Sequence, residues 1–189
     1  MIELNENSIL RGNSSTTLAI FDFDDCLVVS DAKIKVIDKK TGKIVKSLTP
    51  AQFNKFVSKP NYVLSFDDFS NPEILEHSKI ITQIFRFLKN WYSKGIPIAI
   101  VTARSSSKLI RNFMLNRGID IHPDLVIAVS DPSSHYTGKV EERKKQAILE
   151  LVDNGFKHLI FFDDNAKNLE EAKTIEKIRK DVKVSIYQV

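Results

Sequence analysis

Thr17-Leu18-Ala19-Ile20-Phe21-Asp22-Phe23-Asp24-Asp25-Cys26-Leu27 is an apolar run that breaks into three carboxylates within four residues. Like charges at the end of a buried strand repel one another and are costly to desolvate unless something cationic sits among them. The second half of the chain repeats the pattern in His158-Leu159-Ile160-Phe161-Phe162-Asp163-Asp164-Asn165. Two apolar strands that each end in paired acids predict one hard cation, held at the carboxyl edge of a parallel sheet.

Outward from the first run, strands and helices alternate. Residues 73–94 place Ile74, Ile81, Ile84, Phe85, Leu88 and Trp91 on one helical stripe, with Gly95 to end it. Strands are predicted at 17–23, 97–102, 125–129, 158–162 and 183–187, and further helices at 105–117, 140–154 and about 166–180. This alternation predicts an α/β fold, a Rossmann-like doubly wound parallel sheet with helices on both faces. Residues 1–16 read as a polar lead-in. The link between the first two strands is longer than one crossover needs, so about 30–70 is an insertion in a single domain of 1–189 whose core is about 17–29 and 71–189. Lys33-Ile34-Lys35-Val36 and Lys43-Ile44-Val45 flank Lys40-Thr41-Gly42 as a β-hairpin, and Thr49-Pro50 opens a short helix through Phe53 and Phe56. An insertion leaving the sheet directly after the acids is expected to overhang them as a small cap.

Composition narrows the class. Hydrophobic residues at 42% and charged residues at 28% are those of a globular protein, and no apolar run approaches the roughly 20 residues that span a bilayer. Met1 to Ser15 lacks the layout of a signal peptide. The one cysteine, Cys26, has no internal partner, which fits a reducing cytoplasmic location. A net charge of +4 points weakly to an anionic substrate or partner, since surface lysines alone give the same total.

Asp22-x-Asp24-x-x-Leu27, Val101-Thr102-Ala103-Arg104, a lysine on a later helix and Phe162-Asp163-Asp164 stand in an order that resembles the haloacid dehalogenase (HAD) superfamily of phosphohydrolases. The resemblance covers about 17–187. It implies a phosphomonoesterase in which Asp22 attacks phosphorus to form an aspartyl-phosphate, and Asp24 serves as general acid and then base. It further implies a Mg²⁺ cofactor held by Asp22, the Asp24 carbonyl and Asp163, with Asp164 acting directly or through water. Thr102 is expected to hold a phosphoryl oxygen, its alternative being an N-cap-like turn residue, with Ala103 and Arg104 as substrate contacts, and Arg104 is read alternatively as a surface arginine. The histidines, His77, His122, His135 and His158, are too scattered for a zinc site.

Phase selects the lysine. Lys144 lies four residues after Val140 and four before Ile148, inside an apolar stripe where an ammonium belongs only if it reaches an anion. Lys139 and Lys145 are the alternatives. Asn168 is read either as a support for the Asp163 loop or as a helix-surface residue. Asp25 stands where the family often has glycine, and Cys26 where it has threonine or valine; Cys26 reads as a packing residue rather than a second nucleophile.

The spacing of nineteen residues from Lys144 to Asp163 is similar to that in the 3′-phosphatase domain of bacteriophage polynucleotide kinase. That likeness implies a nucleotide or nucleic-acid 3′-phosphate as substrate. The rival substrates are small phosphorylated metabolites. A rival from another class is a nucleic-acid-binding module in which the basic hairpin makes contact and the acidic site is vestigial. Lysines alternating with Ile34 and Val36 equally describe the solvated face of a hairpin.

Overall fold

In the computed structural model, which describes residues 16–189 apart from Asn54, the first long apolar run becomes the middle of a sheet. Short 3₁₀ turns aside, the first elements are β1 (Thr17–Phe21), β2 (Val28–Val29), β3 (Ile34–Asp38), β4 (Ile44–Leu48), α1 (Pro50–Phe53), β5 (Tyr62–Ser65), α2 (Pro72–Glu76) and β6 (Lys79–Ile80). There follow α3 (Thr82–Ser93), β7 (Ile98–Thr102), α4 (Ser107–Leu115), β8 (Val126–Ala128) and α5 (Val140–Asp153). The chain closes with β9 (His158–Asp163), α6 (Ala166–Lys173), α7 (Ile175–Ile178) and β10 (Lys183–Gln188). The polar lead-in read over 1–16 lies, Thr16 excepted, outside the described residues. No described helix is long and apolar enough to cross a membrane.

The main sheet has the order β10-β9-β1-β7-β8, all parallel. It is an α/β sheet flanked by helices, as the alternation predicts. All five residues of β1 are buried, because both faces of the strand are covered. Leu18 and Ile20 join Ala147, Ile148, Leu151 and Phe161 in one core. On the opposite face Phe21 stacks on Phe162 at 4.8 Å, and Phe87 and Trp91 of α3 close over Phe162 at 5.6 and 6.0 Å. Each such side chain contributes roughly 1.5–3 kcal/mol by leaving water, and a one-residue slip of β1 would turn each residue to the opposite packed face and break both sets of contacts.

The pairing of β1 with β9 and β7 is what places chemistry. Phe21 is level with Phe162 on one side and with Ile100 on the other, so the residues that follow β1 and β9 emerge together at the carboxyl edge. Strand order reverses between β1 and β9, and the crevice at such a reversal is where open α/β sheets take their ligands.

The chain divides into two compact units, Ser30–Lys79 and the remainder, Ile80–Val189 with the chain up to Val29. Where the sequence reading ends the insertion at about 70, this division ends it at Lys79. The unit contains an antiparallel sheet of order β4-β3-β5. In that sheet Ile34, Val36 and Leu48 are buried, packed against Phe53, Phe56, Tyr62, Leu64 and Phe69. The hairpin β3–β4 matches its prediction, with an irregularity between Val36 and Ile37 that leaves Val45 without a partner. The third strand, Tyr62–Ser65, has no counterpart in the sequence reading.

Two predicted helices are interrupted. The stripe over 73–94 is α2 and α3 with an extended stretch between them. Asn71 caps α2 by accepting from the Glu73 and Ile74 amides, and the Ser78 hydroxyl bonds the Ile74 carbonyl. That carbonyl is thereby diverted from the next helical turn. The helix expected over 166–180 ends at Lys173, where the Thr174 hydroxyl bonds the Glu171 carbonyl, and resumes as α7.

Candidate active site

Asp22 is the first residue past β1 and its amide donates to the Phe162 carbonyl at 2.8 Å, so the sheet ladder continues one step beyond the strand. Asp163 is the last residue of β9 and is fully buried. The ladder therefore brings together two carboxylates separated by 141 positions of sequence.

Lys144 reaches both. Its Nζ lies 2.8 Å from Asp22 Oδ1 and 2.7 Å from Asp163 Oδ2, and its side chain is 2% exposed. It sits in the second turn of α5, on the face that also buries Ala147, Ile148 and Leu151. Lys145, one position on, pairs with Glu171 at 2.7 Å, and Lys139 only begins α5, its amide donating to Glu142. Phase thus separates the three lysines, because on a helix only one of two adjacent residues can point inward.

Asp163 is held from three sides. Besides Lys144, Oδ1 accepts from the Asn165 amide, and the Asn168 side chain donates to both oxygens at 2.9 and 3.0 Å. Asn168 is buried, so of its two readings the supporting one describes its place. Asn165 in turn caps α6 by accepting from the Lys167 amide.

Oxygens of Asp22, Asp163 and Asp164 lie within 4.8 Å of one another. One ammonium stands among these three carboxylates, and the imbalance shows in the acidity of Asp22 and Asp164. Burial pushes Asp22 up to about 8, with Lys144 pulling it down and Asp163 pushing it further up. Burial, then Asp163 and Asp25, push Asp164 up to about 6. For Lys144 burial works against the charged form, but Asp22 and Asp163 outweigh it and hold the ammonium above its ordinary range. An all-oxygen set that, fully ionised, carries two negative charges in excess of its lysine fits a hard divalent cation such as Mg²⁺.

Asp24 faces elsewhere. Both of its oxygens are taken by Arg104, Oδ2 accepting from Nε at 2.8 Å and Oδ1 from Nη2 at 2.7 Å. The guanidinium is 2% exposed at its side chain and lies 5.4 Å from the Phe23 ring centroid. Arg104, read from the sequence as a substrate contact, is therefore engaged with the second motif aspartate. Nothing in the sequence gives that pairing, which spans 80 positions and depends on where the loop after β7 falls.

Thr102 ends β7 with its side chain buried, and its Oγ1 accepts the Arg104 amide at 3.2 Å, fixing the turn that aims the guanidinium. Ala103 between them is exposed. The helix that follows starts at Ser107 under a Ser106 cap, so its amino terminus lies several residues beyond Thr102. Asp25 takes a left-handed backbone, φ 57, which lets the chain turn back so that its amide meets the Val28 carbonyl. Cys26 is fully buried with its thiol 3.6 Å from the Phe162 carbonyl. Burial, then Asp22 and Asp163, hold that thiol well above its ordinary value, which leaves it a packing group. Compared with models of protein families, with curated proteins and with solved structures, the chain finds no match.

Proposed function

We propose that this chain is a Mg²⁺-dependent phosphomonoesterase of the haloacid dehalogenase type, working through an aspartyl-phosphate on Asp22. The observation that carries the reading is the buried Lys144 bridging Asp22 and Asp163 at the strand-order reversal, with Asp164 alongside. A structural ion pair needs one acid and one base; three clustered acids around one lysine suit a site that awaits positive charge and a phosphoryl group.

In the first step an Asp22 oxygen attacks phosphorus, the bond from phosphorus to the alcohol oxygen breaks, and that oxygen takes a proton from Asp24. In the second, water attacks the same phosphorus, its proton passes to Asp24, and the bond to Asp22 breaks to release inorganic phosphate. Asp22, Asp163 and Asp164 would hold the cation, which supplies charge to the phosphoryl oxygens and favours the ionised Asp22. Lys144 keeps Asp22 aimed and offsets charge as it builds. Arg104 donates to each Asp24 oxygen, which fixes where that carboxyl group points, and a carboxyl oxygen that accepts one hydrogen bond has a second lone pair for proton transfer. In this reading Ser30–Lys79, which begins six residues after Asp24, is the cap that selects the phosphoester.

The test is a panel of nucleotides, 3′- and 5′-phosphorylated oligonucleotides, sugar phosphates and an aryl phosphate, assayed with Mg²⁺ and with EDTA. Turnover should require metal and vanish in Asp22→Asn. Activity retained in EDTA, or wild-type turnover by Asp22→Asn, removes the proposal. The panel also decides between nucleic-acid ends and small metabolites.

A further inference from the structure

The excess positive charge of this chain is confined to one segment. Residues 30–66 contain eight lysines and two aspartates, leaving 20 basic against 22 acidic residues in all the rest. The net charge of +4 is thus a segment of +6 joined to a remainder of −2.

Within that segment the lysines differ in what they touch. Lys35 pairs with Asp68 at 2.6 Å, and Lys46 lies 5.9 Å over the Phe56 ring. Lys39, Lys40, Lys43 and Lys59 are exposed, and among the described residues none pairs with a carboxylate. Topology brings these four to one end of the insertion's sheet. Because β3 is antiparallel to both neighbours, its last residue, Asp38, lies at the same end as the first residues of β4 and β5. The turn at 39–43 and the turn at 59–62 therefore sit side by side. The Lys39 amide donates to the Asn61 carbonyl at 2.9 Å and its Nζ to the Pro60 carbonyl at 2.7 Å.

Asp38 is the acid among them, and the turns consume it. Its Oδ1 accepts from the Lys40 amide and from the amide and hydroxyl of Thr41, and Oδ2 faces Asn61 Nδ2. Those bonds, the Thr41 amide first, hold its carboxyl below the ordinary range. The aspartate organises the turns and leaves the ammoniums of Lys40, Lys43 and Lys59 to solvent, while that of Lys39, itself exposed, also holds the Pro60 carbonyl.

We infer that Lys39, Lys40, Lys43 and Lys59, on the paired turns 39–43 and 59–62, form a contact surface for the phosphate backbone of a nucleic-acid strand. Four ammoniums on two mutually bonded turns exceed what one small phosphate engages. A nucleic-acid strand offers a charge about every 3.4 Å of helix axis, so it can meet several at once and release their counterions. Thr41, Gly42 and Asn61 lie between the lysines, and the helices of this unit, α1 and α2, are too short to lay an apolar face on a bilayer. The surface is separate from the phosphomonoesterase reading and stands or falls without it.

The test is fluorescence anisotropy of the full chain with a labelled single-stranded oligonucleotide bearing no terminal phosphate, at about 50 to 200 mM salt. A quadruple variant, Lys39→Gln, Lys40→Gln, Lys43→Gln and Lys59→Gln, should flatten the plot of log affinity against log salt by roughly 2.8, at about 0.7 per single-strand contact. Lys40→Gln alone should flatten it by about 0.7. Arginine at all four positions should keep the slope, and circular dichroism should show the variants folded. A control with Lys108, Lys167, Lys177 and Lys180 changed to glutamine, all exposed on the other unit, should leave it nearly unchanged. The inference is overturned by wild-type protein that does not bind the oligonucleotide, by an unaltered slope in the quadruple variant, or by an equal loss in the control. Binding to phosphatidylserine vesicles but not to the oligonucleotide overturns it as well.

Discussion

Stripped of divalent cation, this protein should lose stability as pH rises from about 5 to about 8, opposite to the usual trend for carboxylates. The cause is Asp22, which burial raises to about 8 despite Lys144, and which titrates near 3.9 in an unfolded chain. Between those values the folded protein keeps a proton that the unfolded chain has given up, so stability declines with each step toward alkali. The contribution is whole below about pH 4 and gone above about pH 8. Asp164, raised to about 6 by burial and Asp163, works in the same direction over the lower part of the window. One group changes stability by at most about 1.4 kcal/mol per pH unit, so Asp22 alone accounts for on the order of 4 kcal/mol between about pH 5 and about pH 8. Against a total of roughly 5–15 kcal/mol that is readily measured. Carboxylates held low by hydrogen bonds, such as Asp38, Asp68 and Asp181, titrate below this range and leave the slope alone. Urea denaturation in EDTA at unit pH steps gives the curve, and Asp22→Asn should remove the slope between about pH 6 and pH 8. Added Mg²⁺ should restore more stability at the alkaline end, where the carboxylates it engages are ionised. A flat or rising metal-free profile, or an Asn variant with the wild-type slope, refutes the account of Asp22.

Three further substitutions probe the same architecture. Lys144→Met leaves Asp22 and Asp163 buried without their cation, so denaturation should show a loss of about 3–5 kcal/mol near neutral pH, and aryl phosphate turnover should cease. Arg104→Lys keeps the charge but not the two-pronged hold on Asp24; in steady-state kinetics kcat should fall by roughly 10²-fold or more for alkyl phosphates and less for aryl phosphates, whose leaving groups need less acid help. Gly138→Ala places a Cβ 2.1 Å from Glu142 Oε2 at φ +93, straining the backbone and displacing the oxygen that caps Lys139. Strain of about 1–2 kcal/mol and a lost cap of about 1 kcal/mol should lower Tm by roughly 4–12 °C in a thermal melt.

The sheet was readable because β1, β7 and β9 are nearly unbroken apolar runs, and a strand covered on both faces permits little else. Lys144 was readable because a charge inside an apolar stripe contradicts its surroundings. The break in the stripe between Leu75 and Ile84 was not, since it turns on the Ser78 hydroxyl competing for one carbonyl, and serine in a helical pattern is unremarkable by itself. The strand Tyr62–Ser65 is not legible in the sequence because its alternation is short and becomes meaningful only beside β3. Arg104 illustrates the deeper limit. Its proximity to Thr102 along the chain suggested a substrate contact, while its actual partner, Asp24, is supplied by a different strand end. Among the lysines of the insertion, spacing alone could not tell Lys35, matched by Asp68, from Lys40, whose ammonium pairs with no carboxylate among the described residues.

The central place of β1 has a consequence for synthesis. Its two neighbours, β7 and β9, are made roughly 80 and 140 residues later, so the strand emerges from the ribosome long before anything can pair with it. Until Leu159 to Phe162 arrive, one edge of Leu18 to Phe21 lacks backbone partners and Phe21 lacks the ring it stacks on. A nascent chain arrested before β9 thus carries a sticky, unpaired strand suited to chaperone capture or to mispairing with another chain. Closing so distant a pairing also makes for slow folding. The ladder that sets Asp22 beside Asp163 is therefore among the last features to form and the first for which the growing chain needs protection.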